Sequence, residues 1–285
     1  MTHSLNADNP VSRPDIFGAG SLEKSKQAFP NGSVCLIGAG PGDVELLTLK
    51  AVKRLQLAQI VFYDRLVGED VLELIPANAT LVPVGKSKGD HSVPQTKIHE
   101  KLIDAARQGL RVVRLKGGDP FIFGRGGEEI EALRAAGIAS EVVPGISSAL
   151  GCAAARQIPL THRDHAQSVT FVTGHAKLGE VPDLDWAALA RENQTVVVYM
   201  GVGTAPVISD RLQEAGRGAS TPVAVIENGT RDNEKVVYGT LGELPNLLET
   251  NNIDGPALLV IGEVSALGLR DLANANVELI AGEAV

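Results

Sequence analysis

The first half of the chain alternates short apolar runs with segments of helical periodicity, and this pattern limits the possible folds more than any other feature. Strands are predicted at 34–37, 60–63, 80–84, 112–115 and 141–143. Helices are predicted between them at 45–57, 94–108 and 127–136. Parallel strands need crossover connections, which are usually helices, so the alternation predicts an α/β domain with a mostly parallel sheet and helices on both faces.

The second half predicts a different sheet. Strands are expected at 169–173, 195–200, 223–227, 235–240 and 257–261, with helices near 186–191 and 205–215. The turn NGTRDN separates two of these strands and favours an antiparallel pair, hence a mixed sheet. We therefore expect an N-terminal α/β domain at 31–152 and a C-terminal mixed α/β domain at 153–265, with a tail at 266–285.

Composition excludes several classes of protein. No apolar run approaches the roughly 20 residues of a membrane span, and the net charge of −8 opposes binding to nucleic acid or to an anionic membrane. Residues 1–30 are polar, contain three prolines and lack the apolar core of a signal peptide, so they are predicted to be a flexible extension of a cytoplasmic protein. Cys35 and Cys152 are expected to be buried and reduced. His162 and His165 have no partner at zinc-site spacing, so no metal is predicted.

The glycine-rich turn after the first strand invites a dinucleotide-binding interpretation, which its spacing does not support. That fingerprint needs three small residues, G-x-G-x-x-G/A. Gly38 and Gly40 fill the first two positions, but Asp43 occupies the third, where a carboxylate would repel a pyrophosphate. Asp43 is better interpreted as the N-cap of a helix that begins at Val44. A strand–loop–helix unit is therefore expected, without a nicotinamide cofactor.

Unusual residues follow all five predicted strands of the first half, where an open parallel sheet binds its ligands. The segment KGGDPFIFGRGG, residues 116–127, is the most informative of these loops. Its glycines allow close backbone approach, and its apolar residues would suit a flat ligand. Asp119 could bind a hydroxyl or an ammonium group, and Arg125 could bind a carboxylate. The alternative is an ordered turn with its apolar side chains packed beneath the domain.

Charge near these loops predicts a small anionic ligand. Residues 84–125 hold nine Lys and Arg against four Asp and Glu, in a chain whose net charge is negative. A solvated helix face would give part of the same excess. Asp64 and Lys86 follow strands and are candidates for acid–base chemistry, the alternatives being a capping Asp and a surface Lys. Spacing alone thus indicates an α/β enzyme that binds a small anion.

Nine motifs occur in the order of a known family and cover residues 32–264. They are GAGPGDVELLTLKA, YDRLV, VGK, VVRLKGGDPFIFGRGGEE, VVPGISSA, IPLTHRD, YMG, ENGT and GPALLVIGEV. Through these nine motifs the chain closely resembles the uroporphyrinogen III C-methyltransferase family. Other methylases of the same superfamily share the glycine-rich openings, and a later precorrin methylase is the main alternative. A tetrapyrrole carrier without catalytic activity is the alternative from another class.

The resemblance implies a fold, a reaction and an assembly. Two α/β domains would form a cleft that binds S-adenosylmethionine, and the protein would act as a homodimer. Methylation of uroporphyrinogen III at C-2 and C-7 would give precorrin-2 and two S-adenosylhomocysteines, an early step toward siroheme and cobalamin. Because only thirty polar residues precede the matching region, a stand-alone methyltransferase without a dehydrogenase/ferrochelatase module is expected.

The resemblance also implies site residues. Asp64 would accept the proton lost by the substrate, and Lys86 would donate one. Relatives often carry Thr-Ala where this chain has Ser147 and Ser148, which keeps a hydroxyl at the first position. The expected cofactor contacts are Pro41, Gly117, Gly118, Asp119, Ile122, Ser147, Ser148, Met200, Gly229 and Ala257. The residues expected to bind the eight carboxylates of the substrate are Arg65, Lys88, Arg125 and Arg163.

Overall fold

Two five-stranded sheets organise the protein, whose computed structural model describes residue 24 and residues 27–85, 94–175 and 182–268. The first sheet has the strand order β3-β2-β4-β1-β5, and all four of its strand pairs are parallel. The parallel sheet predicted for the first half is thus confirmed. Its strands are β1 (Val34–Gly38), β2 (Ile60–Tyr63), β3 (Thr80–Pro83), β4 (Val112–Lys116) and β5 (Ser140–Val143).

Helices cover both faces of this sheet, because side chains that alternate along each buried strand point to opposite faces. Cys35 and Ile37 share a core with α1 (Leu49–Leu55) and α2 (Glu69–Glu73). Val34 and Leu36 share the opposite core with α3 (Gln95–Arg107) and α4 (Gly126–Ala135). Because helices cover both sheet faces, a ligand site is left to the loops at the carboxyl ends of the strands.

The second sheet is mixed, as predicted, with the strand order β6-β7-β10-β8-β9. Strands β6 and β7 are parallel, while the other three pairs, including the predicted hairpin β8–β9, are antiparallel. Helices α6, α7 and α8 pack on one face of this sheet. The strands are β6 (Ser168–Thr173), β7 (Gln194–Tyr199), β8 (Pro222–Glu227), β9 (Lys235–Thr240) and β10 (Ala257–Ile261). The helices are α6 (Trp186–Leu189), α7 (Ala205–Glu214) and α8 (Leu244–Thr250).

Helix α5 (Ser148–Ala155) connects the two sheets and packs on the second. Its Ala149, Cys152 and Ala153 lie in one core with Val197 and Ile226 of the second sheet. The predicted domain boundary after residue 152 falls within this helix, and the proposed domain limits remain a prediction. Both Cys152 and Cys35 are buried and free, as expected, and burial raises the pKa of each thiol to about 12.

The start of the first helix differs from the prediction. Asp43 does cap a helix, since its Oδ1 accepts a hydrogen bond from the Glu45 backbone at 2.8 Å, but that helix is a single 3₁₀ turn, Val44–Leu46. Helix α1 begins only at Leu49, where Thr48 Oγ1 accepts from the Ala51 backbone at 3.1 Å. Two caps five residues apart divide the predicted helix 45–57, because each one satisfies the free amides of a new helix start.

Candidate active site

Three loops that follow β1, β4 and β5 meet backbone to backbone at what we call the glycine junction, formed by Gly38, Gly40, Gly118 and Gly145. Gly118 donates a backbone hydrogen bond to Gly40 at 2.7 Å and accepts one from it at 3.2 Å. A Cβ added to Gly38 would lie 2.5 Å from the Gly118 oxygen, and one added to Gly145 would also collide with that oxygen. Side chains are therefore excluded from the junction, and the three loops hold one fixed arrangement.

The loops after β2 and β3 join the same edge of the sheet. A Cβ on Gly117 would lie 2.9 Å from the Leu66 Cβ, and one on Gly85 would lie 2.5 Å from the Arg65 backbone nitrogen. All five loops after the parallel strands are thus contiguous, as the topology predicted.

A loop of the second sheet packs against these loops from the opposite side. Asp43 donates its backbone N–H to Thr230 Oγ1 at 3.1 Å. Arg231 donates through Nη2 to the Leu66 carbonyl oxygen, and its side chain packs where a Cβ on Gly42 would be. The segment after β8 therefore closes one side of a crevice between the two sheets.

Tyr199, the last residue of β7, makes a second connection between the sheets. Its hydroxyl shares a 2.5 Å hydrogen bond with Ser147 Oγ and accepts another from the Ala149 backbone at 3.1 Å. Its ring lies 5.0 Å from that of Phe123, centroid to centroid. Burial raises the pKa of the Tyr199 hydroxyl, so the group stays protonated and able to donate.

The loop 116–127 is ordered, but its apolar side chains are not packed beneath the domain. Phe121, Ile122 and Phe123 are 57%, 36% and 39% exposed, which excludes the alternative of a buried turn. Asp119 holds the loop in place: its Oδ1 accepts from the Phe121 backbone at 2.8 Å and its Oδ2 from the Gly145 backbone at 3.1 Å. The remaining lone pairs of this carboxylate are the ones that a ligand could use.

Asp64 belongs to a cluster of four charged side chains, which we call the charge cluster: Asp64, Arg114, Lys116 and Glu129. Arg114 donates to Asp64 Oδ1 at 2.6 Å and to Glu129 Oε1 at 2.9 Å. Lys116 Nζ lies 3.2 Å from Glu129 Oε1 and 3.8 Å from Asp64 Oδ2. The last three side chains of the cluster are at most 3% exposed, whereas that of Asp64 is 28% exposed.

Sequence reasoning missed three members of this cluster. It counted Arg114 and Lys116 as part of a basic region that would attract an anion, but carboxylates inside the protein neutralise both. Burial and the Arg114 charge lower the pKa of Lys116. Burial alone would also lower the pKa of Arg114, but the two carboxylates raise it above its ordinary value. The one available signal was that charged residues at 114 and 116 fall on the same face of a strand that is otherwise apolar.

The expected substrate-binding residues are placed unevenly. Arg65, Arg125 and Arg163 are exposed, but Arg125 is engaged with Glu128, its Nη2 lying 2.6 Å from Oε2. Hydrogen bonding with Glu128 raises the pKa of Arg125. Lys86 and Lys88 lie outside the residues that the structure describes.

The expected cofactor contacts all lie on loops or strand ends at the crevice. Pro41, Gly117, Gly118, Asp119 and Ile122 follow β1 and β4, and Ser147 and Ser148 begin α5. On the second sheet, Met200 follows β7 and Gly229 follows β8. The first residue of β10, Ala257, pairs with Glu227, so these three positions share one edge. A Cβ on Gly229 would collide with Cys152 Sγ, which explains the glycine.

Neither a membrane-spanning helix nor a metal-binding cluster is found in the parts of the chain that the structure describes. Within 27–85, 94–175 and 182–268, no helix is long and apolar enough to cross a membrane. Over the same ranges, no group of three or more His, Cys, Asp or Glu side chains is arranged to hold a metal ion.

A parallel sheet and a mixed sheet, connected through helix α5 and through glycine-rich loops, define an α/β enzyme fold. Comparison with known sequences identifies the family. Residues 33–245 match the Tetrapyrrole (Corrin/Porphyrin) Methylases. The chain belongs to this family.

Relatives with curated names are longer proteins. The chain is 54% identical over 241 residues to a siroheme synthase of Pseudoalteromonas translucida, covering 85% of this chain and 51% of the relative. It is 51% identical over 266 residues to a siroheme synthase of Chromobacterium violaceum, covering 92% and 55%. The chain thus spans about half the length of these relatives.

Solved structures with the same fold include two kinds of methyltransferase. One is a uroporphyrin-III C-methyl transferase of Thermus thermophilus complexed with S-adenyl homocysteine, 42% identical, with a TM-score of 0.71 over 81% of this chain and 92% of that one. Another is a cobalt precorrin-4 methyltransferase, 30% identical, with a TM-score of 0.73 over 82% and 96%.

Proposed function

We propose that this chain transfers two methyl groups from S-adenosylmethionine to C-2 and C-7 of uroporphyrinogen III, giving precorrin-2 and two S-adenosylhomocysteines. The observation that carries the proposal is the similarity to the Thermus thermophilus enzyme, which covers 81% of this chain and 92% of that one. Because the chain spans only about half of its siroheme synthase relatives, the proposal is restricted to the methylation step.

The crevice has the features that a molecule with a nucleoside, an amino acid and a sulfonium group requires. Gly118 has a φ of +67°, a backbone conformation that residues with side chains rarely adopt, and it presents its backbone beside Ser148. Asp119 offers a fixed carboxylate to a hydroxyl or an ammonium group. Ile122 and Met200, 36% and 52% exposed, provide apolar surface. S-adenosylmethionine, when bound, supplies an activated methyl group.

The residues of the chain then need to contribute little to bond formation itself, because an electron-rich pyrrole carbon attacks such a methyl group readily. The ten proposed contact residues would hold donor and acceptor in line and exclude water. In this proposal Asp64 accepts the proton when a C–H bond of the methylated macrocycle breaks, and the electron pair returns to the ring. Lys86 is the proposed proton donor. We expect Asp64→Ala and Lys86→Ala to keep part of the activity, since orientation provides most of the acceleration.

The proposed substrate carries eight carboxylates, which four cationic side chains would match in sign. Arg65, Lys88, Arg125 and Arg163 are the proposed partners, with Arg125 exchanging Glu128 for a substrate carboxylate. Of these, Arg65, Arg125 and Arg163 are exposed. A homodimer in the cytoplasm is also part of the proposal, and it is supported by the family resemblance.

The decisive experiment is an anaerobic incubation of the purified protein with uroporphyrinogen III and S-adenosylmethionine, followed by mass spectrometry and absorption spectroscopy. A mass gain of two methyl groups with the precorrin-2 or sirohydrochlorin spectrum is the expected result. Tight binding of S-adenosylhomocysteine without any gain would overturn the assigned substrate and favour a later precorrin, the substrate class suggested by the second structural neighbour. Omission of S-adenosylmethionine is the control.

A further inference from the structure

We infer that Glu129 is a positioning residue for Asp64, acting through the guanidinium of Arg114. The inference rests on the proposed function, because it concerns the proton acceptor of the proposed reaction. Glu129 does not reach the crevice: its side chain is completely buried. It can influence the reaction through the other members of the charge cluster, and its charge also acts on Arg125. The double variant described below separates these two routes.

Glu129 lies on the buried side of the charge cluster and accepts hydrogen bonds from three side chains. It lies in the first turn of α4, directly after the loop that carries Phe121–Phe123. Its Oε1 accepts hydrogen bonds from Arg114 Nε at 2.9 Å, from Lys116 Nζ at 3.2 Å and from Gln95 Nε2 at 3.1 Å. Its Oε2 is buried and has no hydrogen-bond partner within 27–85, 94–175 and 182–268. A buried carboxylate with an unpaired oxygen costs free energy, so a role beyond simple packing would account for its presence.

Arg114 carries the influence of Glu129 to the crevice side. One guanidinium group binds both carboxylates, Glu129 through Nε and Asp64 through Nη2, while Nη1 donates to the Leu115 carbonyl at 3.1 Å. Because the guanidinium is planar and rigid, fixing it at Glu129 also fixes the Asp64 carboxylate. Asp64 Oδ1 is held at 2.6 Å. Proton acceptance therefore falls to Oδ2, whose ion-pair partner among the described residues is Lys116, with Nζ at 3.8 Å.

The charges of the cluster also balance. Two carboxylates face two cations, and loss of the Glu129 charge would leave Asp64 as the only anion opposite both. Asp64 would then be a weaker base. Other charged or titratable groups near the cluster are Glu128 on α4 and His99 on α3, whose charges act on each other, and Arg125, whose charge interacts with that of Glu129. Within the described part of the chain none of these three is hydrogen-bonded to Asp64, and none is changed in the variants below.

The test is Glu129→Gln, which keeps the shape and removes the charge. We expect kcat to fall about 10-fold, while the KM for uroporphyrinogen III and the Kd for S-adenosylhomocysteine change less than about two-fold. The acid limb of the kcat–pH profile should move to lower pH. A purely structural role for Glu129 would not move this limb.

A double variant separates action through Asp64 from any other effect. In an Asp64→Ala background, Glu129→Gln should cause no further loss of kcat, because the group that it positions is gone. If the fold losses of kcat in the two single variants multiply in the double variant, the inference is overturned. It is also overturned if Glu129→Gln alone leaves kcat and its pH profile unchanged. Absence of methylated product from the wild-type protein would instead overturn the proposed function.

Gln95→Ala is the second variant in case Glu129→Gln fails to fold. It removes one donor to Glu129 Oε1 from a partly exposed position on α3 and leaves all four charges in place. We expect a two- to five-fold lower kcat, which also disappears in the Asp64→Ala background. An unchanged kcat in a folded Gln95→Ala protein would count against a role for the geometry of the cluster.

Discussion

The Tyr199 hydroxyl and the Ser147 hydroxyl lie 2.5 Å apart, at the point where a strand of the second sheet meets the start of α5. Tyr199 also accepts the backbone N–H of Ala149, one of the free amides at the helix N-terminus. One phenol thus satisfies two groups of the segment that leads from the first sheet to the second. Ser147 and Ser148, both proposed cofactor contacts, are held in place by this arrangement.

Tyr199→Phe should therefore weaken both the fold and ligand binding. We expect a loss of about 1 kcal/mol of unfolding free energy, and a several-fold higher Kd for S-adenosylhomocysteine, measured by calorimetry. Ser147→Ala and the double variant complete a mutant cycle. If the hydrogen bond is responsible, the effects of the two single changes will not add; full additivity would contradict the interpretation.

The glycine junction predicts a large difference between two Gly→Ala changes. In Gly145→Ala the new methyl group meets the backbone of Gly118 and Gly38, neither of which can move without shifting a strand end. We expect a loss of more than about 2 kcal/mol in unfolding free energy. Gly127→Ala is the matched control, because it lies in α4 with no heavy atom within 4 Å of its added Cβ. It should be neutral or stabilising by up to about 1 kcal/mol. Equal effects would refute the close-contact interpretation.

Glu141 should contribute stability that depends on pH. It accepts hydrogen bonds from the buried Arg54 at 2.7 and 3.3 Å and pairs with Lys50. Burial opposes ionisation, but the two cations outweigh it, so the pKa of Glu141 lies below its ordinary value. A lowered folded-state pKa gives stability that is complete above the unfolded-state pKa of about 4.3 and is lost as the pH falls through the folded-state value.

Glu141→Gln should thus lower the unfolding free energy by about 1 kcal/mol at pH 7. The difference from wild type should shrink when denaturant unfolding is repeated at pH 4 and below. Glu131→Gln, at an exposed position on α4, is the control and should change little at any pH. A Glu141→Gln difference that grows on acidification would show that the carboxylate does not act as described.

Arg125→Ala should raise the KM for uroporphyrinogen III several-fold while changing kcat less. Arg211 provides a matched control because it is also exposed and pairs with a Glu three residues later, but on α7. Arg211→Ala should leave both constants unchanged. A common KM for the two variants would exclude a role of Arg125 in binding substrate carboxylates.

Ionic strength tests the same attraction without a mutation. Added salt screens exposed charges, so the KM of the wild-type protein should rise by a larger factor than that by which kcat falls. The KM of Arg125→Ala should rise less steeply than that of the wild type. A KM that does not respond to salt would count against binding through exposed cations.

Most strands were predictable because burial on both sides leaves a strong sequence signal, although β3, which is largely exposed, and β9, which is half-buried, were predicted as well. Each of the ten observed strands overlaps a predicted one, and 60–63, 235–240 and 257–261 agree at both ends. Short helices were harder. Helix α2 has only five residues, too few to show helical periodicity, and α8 carries Pro245 in its first turn, where proline suits a helix but resembles a loop signal.

The charge cluster was not predictable, because its four members extend over the sequence from Asp64 to Glu129, which are 65 positions apart. Whether Lys116 attracts a ligand or neutralises Glu129 depends on how α4 returns across the sheet, which no local pattern records. The count of positive charges in 84–125 therefore overstated the charge that faces solvent. At the crevice, the loop 116–127 was singled out from its glycines, its apolar residues and Asp119. The role of Asp119 in binding a ligand stays a prediction, and its contacts with the Phe121 and Gly145 backbone were not anticipated.

The glycine junction has a consequence for redesigning this enzyme. Its contacts run between main-chain atoms, and Asp119 adds a side-chain hydrogen bond to Gly145, so the arrangement of the three loops does not depend on the apolar side chains of the loop 116–127. Phe121, which is 57% exposed, projects from this frame into solvent, whereas the Phe123 ring lies against Tyr199. An engineer could therefore exchange Phe121 to admit a macrocycle of another outline, while the proposed methyl donor pocket keeps its geometry.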